Sequence, residues 1–161
     1  MDTKIKTTPK DFFLHLAMVV TLFVSVITFI MLISNFIDLA FPDLVRIGDF
    51  GIYQDSQVRV QLSILIIFFP AYLLTMWYLG KEYKIEPLKR LLTSRKWMIY
   101  FILFVAFMAM VVSLVIIMNS FLGGELFKAF TLKILTTMIV VGLVFLYYIK
   151  DLKKDKIPSQ E

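Results

Sequence analysis

"FFLHLAMVVTLFVSVITFIMLISNF", residues 12–36, carries no charged side chain over about 25 positions. At about 1.5 Å of rise per residue a helix of that length outreaches the roughly 30 Å hydrocarbon core of a bilayer. The apolar residues run continuously instead of alternating, so a membrane-barrel strand does not fit. The run also exceeds the roughly 7–15 residues of a signal-peptide core, and "SNFIDLAFPD" after it offers no A-x-A-like cleavage site. The stretch reads as an uncleaved membrane span.

Three further runs meet the same length requirement: residues 58–80, 97–119 and 130–149. Composition agrees, since 60% of the 161 residues are hydrophobic and 18% charged, against about 45–50% and about 25% in soluble domains. We therefore expect an all-α integral membrane protein, a single domain over residues 1–161, with four transmembrane helices in a compact bundle.

Basic residues set the expected orientation. Lys4, Lys6 and Lys10 precede the first span; Lys81, Lys84, Lys89, Arg90, Arg95 and Lys96 lie between the second and third; Lys150, Lys153, Lys154 and Lys156 follow the fourth. These are 13 of the 17 Lys and Arg residues, leaving Arg46, Arg59, Lys128 and Lys133 for the opposite side. Both termini are accordingly expected in the cytoplasm. The net charge of +5 is sorted by side, not gathered into a nucleic-acid footprint. Within the cytoplasmic connection, "IEPLKRLLTSRKW" places Leu88, Leu91 and Leu92 on one face of a short helix after Pro87. That segment fits either the anionic inner leaflet or an ordinary positively charged linker.

Within the spans, small and weakly polar residues mark expected contact faces. Thr21, Ser25, Thr28 and Asn35 form one helical stripe, and Ala106, Ala109, Ser113 and Ser120 another. Hydroxyls in such stripes also bond their own backbone. Pro70, in "IIFFPAYLL", lacks an amide hydrogen and is expected to free the Ile66 carbonyl and kink the second span. The methionines of the third span, Met98, Met108, Met110 and Met118, read as gap-filling side chains.

Candidate chemistry is sparse. The sequence has no cysteine and one histidine, His15, about a turn inside the cytoplasmic edge after Asp11. A lone imidazole provides neither bis-histidine haem ligation nor an evident zinc site, so no metal or cofactor is expected, and His15 reads as a hydrogen-bonding residue with a proton relay as the second reading. G-x-S-x-G, G-x-x-x-x-G-K-[ST], H-E-x-x-H and G-x-G-x-x-G are all absent. No catalytic residue is assigned, and an enzyme is not expected.

The outer side is richer. Asn35 and Asp38 close the first span, Arg59 and Gln61 open the second, Asn119 ends the third, and Glu125, Lys128 and Lys133 surround the start of the fourth. In a compact bundle these reach one level. Lys133 lies about two residues, or roughly 3 Å, inside the membrane edge, a depth that a lysine stem can snorkel. Pairing with Asp38 or Glu125, or closing a small polar pocket, are the other readings. "FLGGELF" reads as the turn between the last two spans, its glycines ending one helix and Glu125 with Lys128 opening the next.

With spans and loops in place, the chain resembles a family of four-span bacterial membrane proteins catalogued as domain of unknown function 5671. The resemblance lies in "TPKDFFLHL" before and into the first span, "FPD" at 41–43, Arg59 followed by "FFPAYLL", "RKW" at 95–97, "GEL" with "LK" at 132–133, and "YYIKDL" at 147–152. It extends from Thr8 to about Leu152. "LGGEL" departs from the pattern by having two glycines where one, after a more polar residue, is expected. The resemblance implies four spans and the bacterial inner membrane, and brings no activity or ligand with it. The reading is therefore of a non-catalytic, multi-pass membrane component that associates with lipid, a membrane-protein partner or copies of itself. The alternative is a small oligomeric transporter or channel with an outer-side site for an anionic or zwitterionic solute.

Overall fold

In this computed structural model the four runs form four helices: α1 (Pro9–Ala40), α2 (Phe50–Ile85), α3 (Thr93–Leu122) and α4 (Lys128–Lys154). The structure describes residues 9–41, 50–85, 93–123 and 128–154, with side chains over 9–41, 56–85, 95–123 and 128–153. The segment from Leu88 to Leu92 lies outside the described residues, as does Glu125, so the expected Glu125–Lys128 pair is not described. Each helix is long and apolar enough to cross a membrane. The protein is an all-α, multi-pass membrane protein, and its helices run beyond the expected apolar spans by a further two to eight residues at each end. In lipid only a helix satisfies every backbone group within one segment. At the ends local signals take over: Pro9 and Asp11 occupy the first turn of α1, and Lys84 the last turn of α2.

Successive helices run antiparallel. At one end, which we call the terminal end, α1 begins, α2 finishes, α3 begins and α4 finishes. There His15 meets Tyr83, and Arg95 meets Asp151. At the far end Asn35 meets Gln61 and Lys133 meets Asp38. Helix α1 packs against all three others and α3 against α4, whereas α2 rests chiefly on α1. Leu79 is the one fully buried residue among the described side chains of α2. Several of its large residues, Ile66, Leu74 and Trp77 among them, are exposed on the outer surface of the bundle.

The densest core lies toward the terminal end, where Met18, Val19, Leu22, Leu79, Met98, Ile99, Ile102 and Tyr148 pack together. The small-residue stripes face inward: Ser25, Thr28, Ala106 and Ser113 are buried and Thr21, Asn35, Ala109 and Ser120 half-buried. Thr21, Ser25 and Ser113 also donate to the carbonyls of Ala17, Thr21 and Ala109. Small size and self-capping thus act together, because a hydroxyl bonded to its own helix enters an apolar interface without an unsatisfied donor. Of the α3 methionines only Met98 joins the core; Met108 and Met118 are exposed.

Candidate functional site

Among the described far-end residues singled out by the sequence, two side-chain pairs form. The Asn35 amide donates to the Gln61 carbonyl oxygen at 2.8 Å, joining α1 to α2. The Lys133 ammonium pairs with the Asp38 carboxylate, joining α1 to α4. Both partners of that pair keep about a third of their side-chain surface exposed, consistent with a lysine near a membrane edge. Arg59 is exposed on α2, and its backbone carbonyl accepts from Ser63. Asn119 is exposed on α3, where its carbonyl takes the amide of Gly123 at 2.9 Å. A Cβ at Gly123 would stand 3.3 Å from that carbonyl oxygen, so the helix ends on the residue with none. Glu125 lies outside the described residues.

A further polar group lies at the terminal end, and all four helices contribute. His15 is buried on α1, with Nδ1 2.6 Å from the Asp11 carbonyl oxygen and Nε2 2.6 Å from the Tyr83 hydroxyl. A carbonyl only accepts, so Nδ1 carries the proton, and in the neutral ring Nε2 accepts from Tyr83. On its other side the Tyr83 ring lies 5.1 Å from the Arg95 guanidinium, which donates to Asp151 at 2.7 Å. The side chain of Arg95 is 5% exposed and that of Asp151 25%. Asp11 is buried beside them. Lys10 borders the group, donating to the Tyr78 hydroxyl at 2.9 Å and lying 3.7 Å from Glu82. Burial without a partner would make Arg95 very costly; the carboxylate of α4 and the ring face of α2 remove that cost.

This arrangement reads as a polar clasp that fixes the four helix ends, and sequence reasoning reached only its histidine. By sequence Arg95 counts with the positive loop charge, and Asp151 and Tyr83 carry no distinguishing pattern. One signal was available: "TPKDFFLHL", "RKW" and "YYIKDL" contain Asp11, His15, Arg95 and Asp151. Among the described residues no three His, Cys, Asp or Glu side chains gather as a metal site would require.

Between the two ends lies a cleft of about 370 Å³, lined by Leu22, Ser25, Val26, Phe29, Leu65, Phe69, Tyr72 and Val140. Helix α1 forms its floor and α2 and α4 its walls. Pro70 sits next to the wall residue Phe69, inside a helix that continues through it, and is itself exposed. The walls touch toward the terminal end, where the hydroxyls of Tyr72 and the buried Tyr148 are 3.3 Å apart and Tyr147 donates to the Met76 sulfur at 3.6 Å. Toward the far end, the Asn35–Gln61 and Asp38–Lys133 pairs tie each wall to the floor. The lining is almost wholly apolar, and the one hydroxyl contributed by α1, that of Ser25, donates to its own helix.

No curated protein and no solved structure matches this chain. A family model matches residues 11–148, from Asp11 of the clasp to the buried Tyr148. The chain thus belongs to the family described as domain of unknown function (DUF5671).

Proposed function

We propose that this membrane protein is a non-catalytic component that holds a membrane-soluble lipophile in the cleft between α1, α2 and α4. The observation that carries this reading is the cleft itself: about 370 Å³ of apolar space within the spans, at the low end of the roughly 300–1,000 Å³ typical of ligand pockets. The surroundings at that depth are hydrocarbon, and the lining matches them. The distribution of Lys and Arg supports a cytoplasmic clasp end, and the resemblance stated above supports a bacterial inner-membrane location.

The test is a comparison of wild type with Val26→Trp, which fills the cleft. Protein purified in mild detergent is extracted with organic solvent and its lipophiles are quantified. We expect one tightly retained species per chain, lost in Val26→Trp. An identical complement from both proteins, with helix content preserved, would overturn the reading.

A second reading has one observation in its favour. The exposed Arg59, with Lys133 near the same end, offers positive charge to an anionic or zwitterionic solute, in a small oligomeric transporter. Reconstituted flux unchanged in Arg59→Ala and Lys133→Ala would remove it.

A further inference from the structure

We infer that the occupant of the cleft is a glycerophospholipid of the far-end leaflet, with one acyl chain between α1, α2 and α4 and its phosphate on Arg59. This rests on the lipophile-binding reading above and adds the chemistry of the ligand.

Depth places the chain. The spans 12–36, 58–80 and 130–149 have their midpoints at residues 24, 69 and 139–140. The lining runs from Leu22 to Phe29 on α1, from Leu65 to Tyr72 on α2, and through Val140 on α4. The cleft therefore sits at the bilayer centre, where acyl chains end. Its lining is almost wholly apolar and asks for no hydrogen-bonding group. A void open to hydrocarbon leaves its walls without partner atoms on one side, and an acyl chain supplies them.

The contacts between the walls set the direction of entry. Tyr72 with Tyr148, and Tyr147 with Met76, join α2 to α4 on the terminal side of the cleft. On the far side the Asn35–Gln61 and Asp38–Lys133 pairs bond each wall to α1. A chain lying between the walls thus has its glycerol end toward the far end.

Charge supplies the site for the headgroup. Arg59 is ten residues from the α2 midpoint, about 15 Å along the helix, which is the edge of the hydrocarbon core where phospholipid ester and phosphate groups begin. It stands six residues, or about 9 Å, beyond Leu65 of the lining. The residue is exposed, and among the described residues its guanidinium has no partner. Lys133 on the opposite wall is already paired with Asp38. The phosphate therefore falls to Arg59, whose planar fork matches two phosphate oxygens. Apolar at the centre and cationic at the edge, the α2 wall follows the polarity of one phospholipid molecule from chain end to headgroup.

The experiment uses the full chain in nanodiscs of a synthetic phosphatidylcholine containing a trace of phosphatidylglycerol or of diacylglycerol, which lacks the phosphate. Each probe carries a diazirine at the end of one acyl chain. After illumination, adducts on the cleft residues Leu65, Phe69 and Val140 are mapped and normalised to those on the exposed Leu74 and Trp77. We expect cleft labelling by phosphatidylglycerol about 5-fold above that by diacylglycerol, the worth of one basic residue at an anionic headgroup. Arg59→Gln should bring the two probes level, and Val26→Trp should abolish cleft labelling by both while leaving Leu74 and Trp77 labelled. Equal cleft labelling by both probes in wild type, unchanged in Arg59→Gln, overturns the phospholipid assignment and leaves a lipophile-binding cleft standing. Cleft labelling by neither probe overturns both readings, as does a dimer in native mass spectra that Val26→Trp dissociates. Leu65→Phe repeats the cleft-filling arm with a milder change should Val26→Trp fail to fold.

Discussion

Removing the carboxylate of Asp151 should destabilise the bundle more than removing the guanidinium with which it pairs. Breaking a buried ion pair costs about 3–5 kcal/mol when the remaining charge stays buried. In Asp151→Ala the remaining charge is Arg95, whose side chain is 5% exposed. It keeps the Tyr83 ring at 5.1 Å, worth about 1 kcal/mol, so the net loss is about 2–4 kcal/mol. In Arg95→Met the remaining charge is Asp151, a quarter exposed and close to the end of α4. It reaches water, and Met preserves the packing of the arginine stem, so the loss is about 1 kcal/mol. At about 2–4 °C per kcal/mol for chains of this size, Asp151→Ala melts roughly 4–16 °C below wild type and Arg95→Met roughly 2–4 °C below. Thermal unfolding followed by circular dichroism in one detergent gives the comparison. The apolar replacement Arg95→Met with Asp151→Leu should recover to within about 1 kcal/mol of wild type. Equal losses from the two single variants, or a larger loss from Arg95→Met, would refute the burial argument.

Three further outcomes follow from other contacts. Tyr83→Phe leaves the buried Nε2 of His15 without its donor at 2.6 Å, a loss of about 1–3 kcal/mol measured in the same melts; imidazole ¹⁵N shifts in the neutral wild type should show the proton on Nδ1, and a proton on Nε2 would contradict the geometry. Lys133→Met should cost less than about 1 kcal/mol, because the side chains of Lys133 and Asp38 are 28% and 35% exposed and such partly solvated pairs contribute little; a melting temperature more than a few degrees lower would show the pair to be a structural tie. Because the sequence lacks cysteine, Ser120→Cys and Lys153→Cys report sidedness directly. A membrane-impermeant maleimide should label the first in intact cells and the second only after permeabilisation, and the reverse pattern would invert the orientation.

The fold was legible because hydropathy records where the bilayer lies. Residues 12–36, 58–80, 97–119 and 130–149 all fall within helices, and Ser25, Thr28, Ala106 and Ser113 face inward as their size suggests. What hydropathy does not record is the fate of a charge at a span's end. Arg95 counts as a loop cation by sequence and is buried in fact, because Asp151, 56 residues away, supplies a carboxylate only once α3 and α4 have packed. Tyr72 and Tyr148 are similarly silent, being ordinary aromatics until α2 and α4 bring their hydroxyls together. For Lys133, sequence reduced the partners to Asp38 or Glu125, and the approach of α1 to α4 supplies Asp38.

The way α2 is attached has a kinetic consequence. Since its wall of the cleft meets the α4 wall through tyrosine side chains at one end and rests elsewhere on α1, the opening faces sideways. On the lipophile-binding reading proposed above, a ligand would arrive by two-dimensional diffusion among lipids without crossing water. Occupancy then follows the ligand's mole fraction in the membrane, not its aqueous concentration, and the exchange rate follows membrane viscosity. Stiffening the acyl chains should slow exchange without changing how much is bound.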